Sequence, residues 1–187
     1  EFLMAKVAVV YHSGYGHTPR MAQSVAEGAG AQLIAIDAEG NVPEGTWESL
    51  AAADAIIMGS PTYMGSASWQ FKKFADASSK VWFTQGWKDK LAAGFTNSSG
   101  MAGDKHNTLN GIFTLAMQHS MIWVSQGLMP SNTKAATRND INNLVSYAGA
   151  FAQSPSDAGA AEMSQGDLDT AKLFGKRVAE VAAKWRG

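Results

Sequence analysis

The amino-acid sequence predicts an α/β fold, a doubly wound five-stranded parallel sheet with helices on both faces. Three observations carry that reading: short apolar runs recur along the chain, amphipathic stretches separate them, and a turn of small residues follows the first run. Val7 to Tyr11 is apolar throughout and ends in His, Ser and Gly, the pattern of a strand buried on both faces. Thr18 is placed to cap the next helix and Pro19 to open it, with Met21, Ala22, Val25, Ala26 and Ala29 as its inward stripe. Leu33 to Ile36 predicts the second strand, Thr46 to Ala53 a short helix and Ala55 to Gly59 the third strand. Ala67, Phe71, Phe74, Ala75 and Ser78 share one helical face. Leu91 to Phe95 then predicts the fourth strand, Lys105 to Ser120 a helix and Met121 to Val124 the fifth strand. The last helix starts near Asp167 and turns Leu168, Ala171, Phe174, Val178, Val181 and Trp185 inward. Asp167 and Asp169 at its start, with Lys184 and Arg186 at its end, complement its dipole. From Gln126 to Gly166 the chain is rich in Asn, Ser, Ala and Gly, with one apolar patch at 144–151. It predicts a long, partly ordered loop of the kind that carries function.

A length of 187 residues with 45% hydrophobic side chains suits one domain, taken as residues 4–187. Glu1, Phe2 and Leu3 precede Met4-Ala5-Lys6 and read as a cloning remnant. Fifteen basic and 16 acidic residues leave a net charge of −1, so no broad field points to nucleic acid and no polybasic run to a lipid surface. The absence of cysteine excludes disulfides, thiolate metal sites and a cysteine nucleophile. His12, His17 and His106 lack metal-ligand spacing, so no metal is expected. With no bilayer-spanning run and no signal-peptide pattern, the expectation is a cytoplasmic protein.

The chemistry is written in the first strand-to-helix turn, Ser13-Gly14-Tyr15-Gly16-His17-Thr18. Free amides at a helix start, two hydroxyls and two glycines make a cradle for an anion without any lysine. The spacing is not the Walker loop, which needs Gly-Lys-Ser or Gly-Lys-Thr, nor G-x-G-x-x-G. An ordinary capped turn is the competing reading.

The segment from Val9 to Val25 resembles the flavodoxin signature, and the resemblance extends from Met4 to Trp185. It is nearest to the WrbA-type NAD(P)H:quinone oxidoreductases. The resemblance implies sheet order 2-1-3-4-5 and FMN as cofactor, its phosphate held by Ser13, Gly14, Tyr15, Gly16, His17 and Thr18. In that family a Pro-Thr-x-x-Gly loop follows the third strand, and Pro61-Thr62-Tyr63-Met64-Gly65 stands there, implying contact with the flavin ring. Such loops lie at the carboxyl ends of strands, where open parallel sheets bind ligands; flavodoxin is the standard example of that rule. The third loop includes Asn97, Ser98, Ser99, Gly100, Met101 and Ala102. It departs from the family at Ser99, Met101 and Ala102, which replace glycines or small polar residues. A merely polar surface loop is the alternative there.

His119 stands where the resemblance implies a catalytic histidine lining the flavin pocket and bonding a quinone oxygen. A partner for the helix carboxyl end is the alternative. Trp69 falls off its helix's apolar face, while Trp82 and Trp87 follow in the next connection, and exposed aromatics of this kind mark contact surfaces. Trp82 matches a tryptophan that reaches a neighbouring subunit's flavin in a tetramer, or else it covers the sheet edge. A homo-oligomer, dimer or tetramer, is therefore expected. Tyr15 is implied as a nicotinamide contact, so the substrate set is Tyr15, Trp82 and His119. The implied reaction passes a hydride from NAD(P)H to flavin and then two electrons to a small quinone-type acceptor. The rival is a flavodoxin-type single-electron carrier that docks through an acidic face, which a net charge of −1 does not favour. A regulatory module that binds FMN without turnover is a third reading.

Overall fold

Val7, Ala8, Val9 and Val10 are all buried, but alternate residues enter two different cores. That is the behaviour of a strand covered on both faces, and it explains the unbroken apolar run. The structure, a computed structural model, describes residues 4–187, so the reading of residues 1–3 lies outside the described residues. In chain order the elements are β1 (Val7–His12), α1 (His17–Ala29), β2 (Gln32–Ile36), α2 (Thr46–Ala52), β3 (Ala55–Tyr63), β4 (Ser66–Ala67), α3 (Trp69–Ala77), α4 (Ser79–Trp82), β5 (Leu91–Ser98), α5 (Lys105–Gln118), β6 (Ile122–Trp123), β7 (Ala150–Gln153) and α6 (Gln165–Arg186).

The parallel sheet runs β2-β1-β3-β5-β6, with β7 also parallel to β5 and β4 paired antiparallel to β3. The expected order 2-1-3-4-5 is therefore present, with its last position filled in two pieces. β6 pairs with Leu91 and Ala92 at the amino end of β5, and β7 pairs with Phe95 to Ser98 at its carboxyl end. Residues 124–149 are inserted between those pieces.

This insert corrects the expectation of a partly ordered loop. Asn142, which is buried, donates through Nδ2 to the Leu128 and Ser146 carbonyls, while its Oδ1 accepts from Gln126 Nε2 and the Ser146 amide. Arg138 forks onto the Asp167 carboxylate at 2.9 and 2.6 Å, and that carboxylate also accepts the Gln153 amide. One charged group thus ties the insert, β7 and α6 together, since a carboxylate has lone pairs for all three donors. Asp167 serves this junction besides opening its helix.

One face of the sheet is covered by α1 and α6, the other by α2, α3 and α5. α1 and α6 pack closely because Gly28 and Gly175 lack side chains. A Cβ at Gly28 would lie 1.8 Å from the Lys172 carbonyl oxygen, and one at Gly175 would lie 2.0 Å from that of Val25. The inward stripe of α1 is as expected, but the helix begins at His17, behind a Gly16 whose φ of 88° makes the turn. Thr18 is not its cap; it is buried in the first turn. On α6, Ala182 is buried where Trp185 was expected to face inward, and Trp185 instead lies on the surface with its indole N–H on the Asp89 carbonyl. Trp87, expected among the exposed aromatics, is fully buried against Trp47 and Phe74, whereas Trp69 is exposed.

Candidate functional site

The carboxyl ends of β1, β3, β5 and β7 bring four connections to one edge of the sheet. The first is the Ser13–Thr18 turn. Gly14, Tyr15 and Gly16 are exposed, and a Cβ on Gly16 would meet nothing within 4 Å, so the loop is open above its tightest bend. Among the described residues no group accepts from the amides of Tyr15, His17 and Thr18. These are orphan donors of a helix amino terminus, where the dipole favours negative charge. The Ser13 hydroxyl accepts the Gly16 amide at 3.3 Å and keeps its own proton to give. Free amides, a free hydroxyl proton and open space fit a phosphate, so the residues present fit FMN at this turn.

Strand β3 continues four residues past Gly59, so Pro61, Thr62 and Tyr63 lie in a strand and only Met64 and Gly65 form the loop. Their φ values of 48° and 81° make a two-residue hairpin into β4. Met64 is fully exposed at its tip. The Thr62 hydroxyl is consumed internally, bonded to Thr96 at 2.7 Å and Thr108 at 2.8 Å, so any ligand contact of Thr62 falls to its backbone. Tyr63 packs its hydroxyl against Gly14 and its ring edge-on to Tyr15, with centroids 5.9 Å apart, joining the first two connections. Burial and the neighbouring Tyr15 raise the Tyr63 pKa, and the Gly14 peptide opposes them.

β5 is likewise longer than expected and takes in Asn97 and Ser98, so the third connection starts at Ser99. Asn97 is buried, with its Oδ1 accepting from Ser154 at 3.0 Å. The loop is fastened from within: Gln153 donates to the Ser99 carbonyl, and Lys105 donates to those of Gly100 and Met101. Met101 itself is half exposed. The fourth connection, after β7, was not foreseen. It reaches back to the cradle, where His17 Nε2 lies 2.8 Å from the Ala158 carbonyl. Its strand, Ala-Phe-Ala-Gln, is a short alternation inside polar sequence, a signal too slight to separate from a loop.

His12 sits buried under the cradle, with Nδ1 2.7 Å from the hydroxyl of Ser68, which also caps α3 by accepting the Phe71 amide. Burial lowers the His12 pKa and favours the neutral ring.

His119 is placed at the opposite edge of the sheet. It follows α5 and precedes β6, whose partner Leu91 begins β5, about 23 Å of strand away from Ser98. It is buried, with its ring 4.4 Å from that of Trp87. Ser78 spends its proton on the Ala75 carbonyl, so its oxygen accepts from His119 Nε2–H at 2.8 Å. Nδ1 is then a bare, unpartnered lone pair, and burial lowers the pKa. His119 therefore stands away from this chain's own carboxyl edge, at the core junction between α3 and α5, where it borders the cleft between those helices. Trp82 is at that same far edge, partly exposed, and lines a cleft of about 730 Å³ between α3 and α5. Lys105, buried beneath the third connection, is a site residue that sequence reading missed, since lysines are ordinarily exposed and only its position two residues after Gly103 marks it.

Fold and edge together define the class, a doubly wound α/β protein whose carboxyl edge carries a lysine-free anion cradle. Residues 37–135 match the family described as NADPH-dependent FMN reductase, a span that includes the second and third connections. The chain is 57% identical to flavodoxin FldP of Pseudomonas aeruginosa over 95% of its own length and 97% of that protein. It is 30% identical to an NAD(P)H dehydrogenase (quinone) of Geotalea daltonii, covering 96% and 97% of the two chains. Among solved structures, a flavodoxin WrbA-like protein from Agrobacterium tumefaciens superposes with a TM-score of 0.81 at 54% identity, covering 96% of this chain and 98% of that one. The chain belongs to the flavodoxin-like, WrbA-type family of FMN-binding oxidoreductases. Among the described residues no helix is long and apolar enough to cross a membrane.

Proposed function

We propose that the chain is an NAD(P)H:quinone oxidoreductase that uses FMN. The observation that carries the reading is the Ser13–Thr18 turn, whose free amides and hydroxyl proton face open space at the switch edge of the sheet. FMN, when bound, supplies the hydride acceptance and electron transfer that no side chain here can perform. Ser13, with the amides of Tyr15, His17 and Thr18, binds the phosphate. Gly14, Gly16 and the Tyr15–Tyr63 pair shape the entry, and the exposed Met64 and Met101 shield the ring from water. Pro61, Thr62 and Gly65 supply backbone contact. Asn97, Ser98, Ser99, Gly100 and Ala102 complete the third wall. Tyr15, 83% exposed, is free to meet the nicotinamide and then the quinone at the same face. The chain acts as a homo-oligomer, the only arrangement that brings Trp82 to a flavin.

The rival reading, a single-electron carrier, draws support from the relative at 57% identity that is named a flavodoxin. A net charge of −1 gives such a carrier little steering toward a basic partner. Steady-state oxidation of NADH and NADPH with benzoquinone by the FMN-loaded protein separates the two. Parallel double-reciprocal lines support the enzyme. Absence of turnover, with reduction by dithionite in two one-electron stages, supports the carrier.

A further inference from the structure

Lys105 has no solvent exposure, yet it carries the first side chain of α5 and ends beneath the third connection. Its ammonium donates to the Gly100 and Met101 carbonyls, the latter at 3.1 Å, and Gln153 Nε2 donates to the Ser99 carbonyl at 2.8 Å. Three consecutive carbonyls are therefore held by donors of the chain's own side chains. In a trans peptide the N–H points opposite to its C=O. The N–H groups of Gly100, Met101 and Ala102 are thus turned the other way, and none has an acceptor among the described residues. Backbone donors aligned in this manner form a concavity for electron-rich oxygen or nitrogen.

We propose that Lys105 is the positioning residue of this third connection, its buried ammonium orienting the peptides so that their N–H groups, and its own positive charge behind them, face a flavin bound at the edge. The proposal rests on the FMN reading above. It also accounts for how Ser99, Met101 and Ala102 are accommodated where the family carries glycines or small polar residues: the loop is set from beneath by a side chain instead of by glycine conformations. Burial lowers the Lys105 pKa to about 8, with Asp167 pulling it up and Arg138 pushing it down. The charged form accordingly predominates at neutral pH. A fixed positive charge near a group that gains electrons stabilises the reduced form.

The test compares wild type, Lys105→Met and Gln153→Ala as FMN-loaded proteins, with riboflavin as a ligand that lacks the phosphate. Dissociation constants come from quenching of flavin fluorescence, and the two-electron midpoint potential from a redox titration. For Lys105→Met we expect FMN and riboflavin affinities to fall together, by about tenfold, and the potential to drop, because ring contacts and not the phosphate are lost. Gln153→Ala, which leaves the buried lysine in place, should weaken both ligands by a smaller factor, and it keeps the test decisive if Lys105→Met does not fold. Unchanged riboflavin affinity and potential in the folded variants would overturn the role of Lys105 while leaving FMN binding intact. Failure of the wild type to bind FMN would instead overturn the parent reading.

Discussion

The hydroxyl of Tyr63 rests against Gly14: a Cβ added at Gly14 would stand 2.2 Å from the Tyr63 oxygen and 3.2 Å from its ring carbon. The end of β3 and the anion cradle are therefore one packed unit. Gly14→Ala should push Tyr63 aside at a cost of about 1–3 kcal/mol, the usual range for overpacking. We expect FMN affinity to fall by at least about tenfold, and Gly14→Ala combined with Tyr63→Phe to recover part of it, since the phenyl ring removes the closest atom. Fluorescence titration of the three variants measures the coupling. Equal losses in the single and double variants would show that the two loops do not act together.

Burial favours the neutral form of His119, and its hydrogen bond to Ser78 contributes to stability. Its folded pKa lies below the ordinary 6.5, so the unfolded chain binds the proton more readily. The associated stability is whole above pH 6.5 and declines as the pH falls from there toward the depressed value, and His12 adds to the same acid slope. His119→Phe should remove part of that slope and cost about 1–2 kcal/mol through the donor lost to Ser78. Quinone turnover should stay within about twofold of wild type. Urea melts at a series of pH values, beside kcat measurements, check both. A collapse of kcat with stability unchanged would return His119 to the reaction.

Lys105 titrates in the opposite region. With a folded value of about 8 against an ordinary 10.5, the unfolded chain holds the extra proton between those limits. The penalty for burying the ammonium is therefore fully present below pH 8 and is relieved as the pH rises to 10.5. The stability of wild type relative to Lys105→Met should climb across that window, by up to about 1.4 kcal/mol per pH unit. Denaturant melts of both proteins between pH 7 and 10.5 give the difference curve, and a flat curve would contradict the buried charge.

Most of the sheet was legible because its strands bury both faces. Val7 to Val10, Ile56 to Met58 and Ala92 to Phe95 leave unbroken apolar runs, and Gly14 and Gly16 mark the turn where an anion fits. What sequence reading lost has physical causes. The fifth strand position is split, and Ala150 to Gln153 is too short and too weakly patterned to stand out from the polar segment around it. The order of residues 124–149 depends on Asn142, Arg138 and Asp167, polar groups whose partners are remote in sequence. A hydroxyl usually caps a helix, which points to Thr18, whereas Gly16 makes the bend by backbone geometry alone. For His119 resemblance implies a place at a flavin pocket, but it carries no sign that Ser78 and Trp87 enclose the ring.

Isothermal titration with FMN and with riboflavin, on wild type and on the Ser13→Ala, Thr18→Ala double variant, addresses the central claim most directly. If the first turn grips the phosphate, wild type should prefer FMN strongly. The double variant should lose at least about one order of magnitude in FMN affinity while binding riboflavin nearly as before, since the Ser13 hydroxyl supplies one charge-assisted bond worth about 1.5–3 kcal/mol and the backbone amides remain. Equal affinity of wild type for the two ligands, or a double variant that still prefers FMN to the same degree, would contradict the account.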